Sequence, residues 1–165
     1  PAARVAIQTT PVSQDDTAKQ AAPASDEPTL PPEAQDADSG KGQEVVDFAK
    51  TLLGSPYVYG ASGPNSFDCS GFVYYVFRHF DVTLNRGATG QLDNGTAVER
   101  SQLRPGDLVF FFDGKVTTPV SHVGIYIGED SFIHASTNGY EVVVSSMAEG
   151  TVYDRNYVCA RRIFE

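Results

Sequence analysis

No apolar run in this chain approaches the ~20 residues that a bilayer-crossing helix needs, so no membrane span is expected. Pro1-Ala2-Ala3-Arg4 does not read as a charged leader followed by an apolar stretch, and the chain as given is expected to be soluble, which leaves export open. Lys and Arg are nowhere clustered. With a formal net charge of -9 and a pI near 4.7 there is no basic face for a phosphate backbone, which excludes nucleic acid as an expected partner. Internal repeats are absent. Cysteine is scarce, with only Cys69 and Cys159; joined they would be a disulfide of an exported protein, and apart one of them is free to act as a nucleophile.

Aromatic residues are missing altogether from residues 1–43, which hold six of the ten prolines in runs such as Ala21-Ala22-Pro23-Ala24-Ser25-Asp26-Glu27-Pro28. Such a segment cannot bury enough apolar surface to offset its ordering entropy, so residues 1–43 read as a disordered linker rich in proline, alanine and acidic residues. All eighteen Phe and Tyr residues lie beyond it. One folded domain is expected over residues 44–165, a length that suits a single core.

From Glu44, the residues Val45, Val46, Phe48, Ala49, Leu52 and Leu53 recur with helical period, and Gly54-Ser55-Pro56 ends the pattern. After a glycine-rich loop, Phe72, Val73, Val76, Phe77 and Phe80 mark one face of a second helix over residues 69–80, with Asp68 at its N-cap. The pattern then changes to strands. Leu103-Arg104-Pro105-Gly106-Asp107 has the residue order of a type II turn and feeds an apolar strand over residues 108–112. Further strands are expected at residues 121–128, 131–136, 140–146 and 157–164. Helices first and an antiparallel sheet after them make the fold class α+β.

A cysteine in the first turn of a helix sits among unpaired backbone N–H groups at the positive end of the macrodipole, and both favour the thiolate. Asp68-Cys69-Ser70-Gly71-Phe72 puts Cys69 there, with Gly71 expected to leave room beside the sulfur for a peptide. Such a thiol needs a base, and three histidines are available. His79 lies ten residues along the helix from Cys69, about 15 Å away, and reads as structural or solvent-facing. In residues 121–128, alternation puts Val123, Ile125 and Ile127 on one face and His122 on the other; the same rule separates His134 from Ile133. A three-residue hairpin loop at 128–130 would pair Ile127 with Ser131 and Gly124 with His134. His122 and His134 would then be diagonal neighbours with Cβ atoms about 7 Å apart, whereas a two-residue loop would send them to opposite faces. The alternatives are a zinc site built of Cys69, His122 and His134, or two structural histidines. No short-spaced ligand pair and no H-E-x-x-H signature supports the metal, so neither metal nor cofactor is expected. Cys159, in Tyr157-Val158-Cys159-Ala160, reads as a buried, inert thiol.

Five segments occur in order: Gly54-Ser55-Pro56-Tyr57-Val58-Tyr59-Gly60, Phe67-Asp68-Cys69-Ser70-Gly71-Phe72, Leu103-Arg104-Pro105-Gly106-Asp107-Leu108-Val109-Phe110-Phe111, Ser121-His122-Val123-Gly124-Ile125-Tyr126-Ile127-Gly128 and Phe132-Ile133-His134-Ala135. On these segments the region from about Glu44 to the end resembles the NlpC family of bacterial cell-wall cysteine peptidases, a papain-like group acting on peptidoglycan. The resemblance implies helices packed on a C-terminal antiparallel sheet, Cys69 as nucleophile, His122 as base and His134 as the residue that orients it. It also implies a Tyr57 hydroxyl near the oxyanion, and Asp68 and Ser70 as contacts to the stem peptide. Tyr59 stands where a tryptophan is usual, Ala61 replaces a second glycine, and Asn85-Arg86-Gly87-Ala88-Thr89 is a loose version of a Pro-Arg-Thr-Ser-like stretch; these departures bear on the substrate groove, where Tyr59 is a further candidate contact.

The substrate so implied is the stem peptide of peptidoglycan, cut between the γ-carboxyl of D-glutamate and a diamino acid through a thioester acyl-enzyme, in a secreted, wall-located enzyme. Two rival readings use the same residues: a papain-like amidase cleaving the lactyl-alanine bond, and a non-catalytic wall-binding module with a decayed site. Residues 1–43 are expected to tether the domain to an upstream wall-binding or glycan-cutting domain, with an inhibitory fold-back over the groove as the alternative.

Overall fold

The computed structural model describes residues 30–165, with side chains from Gly40 onward, so residues 1–29 of the expected linker lie outside the described residues. Helix α1 runs Leu30–Lys50 and therefore begins well before Glu44. Pro31 and Pro32 fall in its first turn, where a missing N–H costs no hydrogen bond. The linker boundary expected at Gln43 thus falls inside a helix. Gly42 is buried, and a Cβ built on it would lie 2.2 Å from the Pro105 carbonyl oxygen. Only glycine lets the helix approach that turn. Val45, Val46 and Ala49 of α1 are buried, and Gly54, at φ 88°, turns the chain out of the helical region just beyond it.

Helix α2 spans Cys69–Arg78 and buries Phe72, Val73, Val76 and Phe77. Its N-cap is Asp68, as the pattern predicted, with the carboxylate accepting the Gly71 N–H at 2.6 Å. Such a cap is worth about 1 kcal/mol. A one-turn helix α3, Ala88–Gln91, follows.

Six antiparallel strands form one sheet: β1 (Thr96–Val98), β2 (Leu108–Phe111), β3 (His122–Gly128), β4 (Ser131–Ser136), β5 (Glu141–Ser146) and β6 (Tyr157–Arg162), in the order β1-β6-β2-β3-β4-β5. Strand β1 and the short helix α4, Val152–Asn156, were not foreseen. Neither is long enough to carry a period; β1 exists because β6 pairs with it, Thr96 opposite Arg162 and Val98 opposite Ala160. The type II turn before β2 is present, with Gly106 at φ 100° and the Asp107 N–H donating to the Arg104 carbonyl at 3.0 Å. Asp107 then takes both Arg162 donors, at 2.7 and 2.8 Å, which ties this turn to the last strand.

Alternation along the strands gives the sheet two buried faces. Leu108, Phe110, Val123, Ile125, Ile133 and Ala135 pack under α1 and α2, while Val109, Phe111, Tyr126, Phe132 and Ala160 pack on the opposite side with Met147. The fold is α+β, with N-terminal helices packed on one antiparallel sheet.

The β3–β4 hairpin corrects one expectation and keeps its consequence. Its loop has two residues, Glu129 and Asp130, both at positive φ (50° and 55°), as a type I′ turn requires. A two-residue loop alone would have put His122 and His134 on opposite faces. A bulge restores the register: Gly128 pairs with Ser131, yet Tyr126 pairs with Phe132 and Ile125 with Ile133, so one residue is absorbed between Tyr126 and Gly128. Both histidines therefore share the face that carries Tyr126 and Phe132.

Candidate active site

The nucleophile candidate is held from below by a loop and a carboxylate. Residues 54–68 wrap past the start of α2, pinned where the Tyr57 N–H donates to the Tyr140 carbonyl at 2.7 Å and the Phe67 N–H to the Pro56 carbonyl at 3.0 Å. Asp68 accepts from the Gly60 N–H at 2.9 Å, the Gly71 N–H at 2.6 Å and Arg86 at 3.1 Å. The other guanidinium nitrogen of Arg86 donates to Ser70 Oγ at 3.0 Å, and Gln91 Nε2 donates to the Ser70 carbonyl at 3.1 Å. Asp68 and Ser70 are therefore buried and committed to the scaffold. Neither is among the residues that line the cleft beside Cys69. Tyr59, 90% exposed, does not line the cleft either. Gly71 has a different task from the one expected: a Cβ on it would meet the Ala61 carbonyl oxygen at 2.0 Å, so its missing side chain admits the loop and not a substrate.

Cys69 and Cys159 are both free thiols and both half-buried. Cys69, Tyr57 and His122 line one cleft of about 410 Å³, whose walls continue through Asp113, Asn138 and Tyr153. Backbone N–H groups of Val123, Ser70 and Cys69 itself point at the sulfur. Val123 lies beyond the last β3–β4 ladder pair, Ile125–Ile133. Burial nonetheless dominates: it pushes the Cys69 thiol up to about 11, with the Asp68 charge adding to the rise, against the lowering by these N–H groups. The helix N-terminus does not by itself make this cysteine a thiolate. The Tyr57 hydroxyl is raised as well, by burial first and by the charge of Cys69 second, the two residues lining the same cleft.

His122 and His134 meet. His122 Nε2 lies 2.6 Å from His134 Nδ1, with the rings 4.8 Å apart and at 85° to one another. Burial holds His122 down to about 4, partly offset by the Asp113 carboxylate, and holds His134 down to about 2, with the His122 charge adding to the fall. Both imidazoles rest neutral, and one proton lies between them. Gly124 makes room for this contact, since a Cβ there would come within 2.6 Å of the Phe132 ring and 3.1 Å of His134 Cβ. His79 lies elsewhere, exposed and stacked on Phe48 with centroids 3.8 Å apart.

Several participants escaped the sequence. Ser145, on β5, lies 2.9 Å from His134 Nε2. Tyr153, on α4, packs its ring 5.4 Å from that of His134 and lines the cleft. Helix α4 is set by its Thr151 cap and by Arg100, which bonds Asp154 at 2.8 Å. Arg86 and Gln91 brace the first turn of α2. Arg86 lies in the stretch Asn85-Arg86-Gly87-Ala88-Thr89 noted above, but no motif announces Ser145, Tyr153 or Gln91, although the alternation of β5 does put Ser145 on the face of Val143, opposite His134.

A cysteine at a helix N-terminus sharing a cleft with a histidine pair from an antiparallel sheet defines a papain-like class of domain. The NlpC/P60 family model matches residues 54–162. A probable endopeptidase of Corynebacterium glutamicum is 43% identical over 105 residues, which cover 63% of this chain and 48% of that protein. A gamma-DL-glutamyl hydrolase of Bacillus subtilis is 38% identical over 121 residues, 72% of this chain and 29% of the relative. Among solved structures, the NlpC/p60 domain of the peptidoglycan hydrolase SagA superposes with a TM-score of 0.62 at 31% identity, covering 73% of this chain and 97% of that one. NlpC2 of Trichomonas vaginalis gives a TM-score of 0.69 at 34% identity, over 75% and 46% of the two chains. The chain belongs to the NlpC/P60 family. It spans between 18% and 48% of the length of the first curated relatives that it matches. No helix among the described residues is long and apolar enough to cross a membrane.

Proposed function

We propose that this domain is a cysteine endopeptidase of the cell wall that cuts peptidoglycan stem peptides at the γ-D-glutamyl bond to a diamino acid. The observation that carries the reading is the 2.6 Å contact between His122 Nε2 and His134 Nδ1 at the edge of a cleft shared with Cys69. The hydrolase name of the Bacillus subtilis relative supports the γ-glutamyl bond, and the hydrolase named among the solved structures supports peptidoglycan as the polymer and the wall as the place of action.

The mechanism starts from an uncharged pair. With Cys69 pushed up and His122 held down, the resting site holds a thiol and a neutral imidazole. As sulfur attacks the γ-carbonyl carbon, its proton passes to His122 Nδ1, and the carbonyl π electrons become an oxyanion that accepts from the Cys69 N–H and the Tyr57 hydroxyl. Collapse breaks the C–N bond, His122 returns the proton to the leaving amine, and a thioester remains. Water, deprotonated by His122, adds to the thioester; the free γ-carboxylic acid leaves and the thiol is restored. His134 keeps the His122 ring oriented through its short contact. Asp113, Asn138 and Tyr153 offer the polar rim for the rest of the peptide.

Mass spectrometry of the fragments released from defined muropeptides tests this directly. Cleavage should fall between D-glutamate and the diamino acid, Cys69→Ala should remove at least ~10³ of kcat, and Tyr57→Phe about 10². A bare glycan product would reassign the domain to the amidases, and undiminished digestion by Cys69→Ala would end the cysteine mechanism.

A further inference from the structure

We infer that Ser145 is a positioning residue, the terminal acceptor of a Cys69–His122–His134–Ser145 chain that fixes which nitrogen of His122 is free to act as base. The inference rests on the role proposed above for Cys69 and His122, and it adds a fourth member from a strand that bears no family motif.

Each link is a heavy-atom distance: 2.6 Å from His122 Nε2 to His134 Nδ1, and 2.9 Å from His134 Nε2 to Ser145 Oγ. Two proton arrangements satisfy both contacts with neutral rings. In the first, His122 carries its proton on Nε2 and donates to His134 Nδ1, while His134 donates from Nε2 to the Ser145 oxygen. His122 Nδ1 is then an open lone pair able to take the thiol proton. In the second, the Ser145 hydroxyl donates to His134 Nε2, His134 donates from Nδ1 to His122 Nε2, and the His122 proton is forced onto Nδ1. That arrangement has no base.

The state after proton transfer separates them. When His122 holds two protons, its Nε2–H still needs His134 Nδ1 as acceptor, so His134 must keep its own proton on Nε2 and give it to Ser145. His134 is fully buried, among Phe132 at 4.4 Å, Tyr153 at 5.4 Å and the paired Val143, and the half-buried Ser145 hydroxyl is the side-chain partner of its Nε2 among the described residues. A serine oxygen accepting at 2.9 Å is thus compatible with both productive states, resting and charged. Removing it would take from the His134 N–H the one fixed acceptor it has in both states, which costs free energy because His134 itself is buried, and would shift the pair toward the arrangement without a base. The titratable groups facing this pair are Cys69 from α2, Tyr57 from the loop before it, Asp113 from the loop after β2 and Tyr153 from α4. Of these only Asp113 bears on His122 through its charge, and its pull does not change between the variants below.

The test compares Ser145→Ala and Ser145→Thr with the wild type. Long-range proton–nitrogen correlation spectra of the histidine rings read the tautomer without any substrate. The wild type should show His122 protonated on Nε2 with Nδ1 bare; Ser145→Ala should move a substantial share of the proton to Nδ1, and Ser145→Thr should restore the wild-type pattern. In step with this, kcat should fall about 10- to 100-fold in Ser145→Ala with KM within twofold, and return to within about threefold in Ser145→Thr. A wild-type His122 with its proton on Nδ1, or an unchanged tautomer in Ser145→Ala, overturns the inference. If stem peptides are not hydrolysed by the wild type, the proposed substrate fails while the ring spectra still decide the role of Ser145.

Discussion

Cys69 should alkylate at a rate that is flat across neutral pH and rises only in strong alkali. The thiol is pushed up to about 11 and the His122 imidazole held down to about 4, in both cases chiefly by burial. Between those values the pair carries no charge, and the share of free thiolate at pH 7 is ~10⁻⁴. Alkylation then proceeds through transfer of the thiol proton to His122, a route whose rate does not depend on pH while both groups stay neutral. The assay uses Cys159→Ser, so that one thiol remains, with iodoacetamide and mass detection from pH 4 to 11. A plateau is expected from about pH 5 to 9, falling away near pH 4 and climbing toward pH 11. His122→Ala should abolish the plateau and leave only the alkaline climb, roughly tenfold per pH unit. A plateau with no further rise up to pH 11 would mean a thiolate–imidazolium pair, and would refute the argument that desolvation outweighs the helix N-terminus and the three N–H groups at the sulfur.

Acid should destabilise the fold through the same burial. His134 rests near 2 in the folded protein and near its ordinary 6.5 when unfolded, so below pH 6.5 the unfolded chain takes up a proton that the folded one refuses. Its contribution is full above pH 6.5 and declines as pH falls, by up to about 1.4 kcal/mol per pH unit. Melting curves at pH 7.5, 6 and 5 should show a falling Tm with a shallower slope in His134→Gln; parallel slopes would contradict this. Gly124→Ala should cost about 1–3 kcal/mol, because the new methyl group meets the Phe132 ring at 2.6 Å and His134 Cβ at 3.1 Å. Denaturant titration reads that cost, and a variant as stable as the wild type would show that the β3–β4 pair yields without strain.

Local chemistry was legible in the sequence. The capping carboxylate of Asp68, the Pro105-Gly106 turn, the alternation of residues 121–128 and the apolar face of α2 depend on neighbours a few positions apart, and the chain alone determined them. So did the identity of the reactive candidates, since the residue types carry their own chemistry. What tertiary structure decided was where unrelated segments meet. The bulge between Tyr126 and Gly128 set the histidine register where loop length by itself pointed the other way, because an extra residue in one strand reverses every side chain beyond it. Burial, which is a property of the assembled core, overruled the helix N-terminus at Cys69 and neutralised both imidazoles. The hydrogen bonds of Arg86 to Asp68 and Ser70, and of Gln91 on α3 to the Ser70 carbonyl, join segments far apart in the chain and exist only in the folded protein. Ser145 could not be read as part of the site from any pattern, because a serine on a strand acquires a role only when the neighbouring strand presents a buried nitrogen to it.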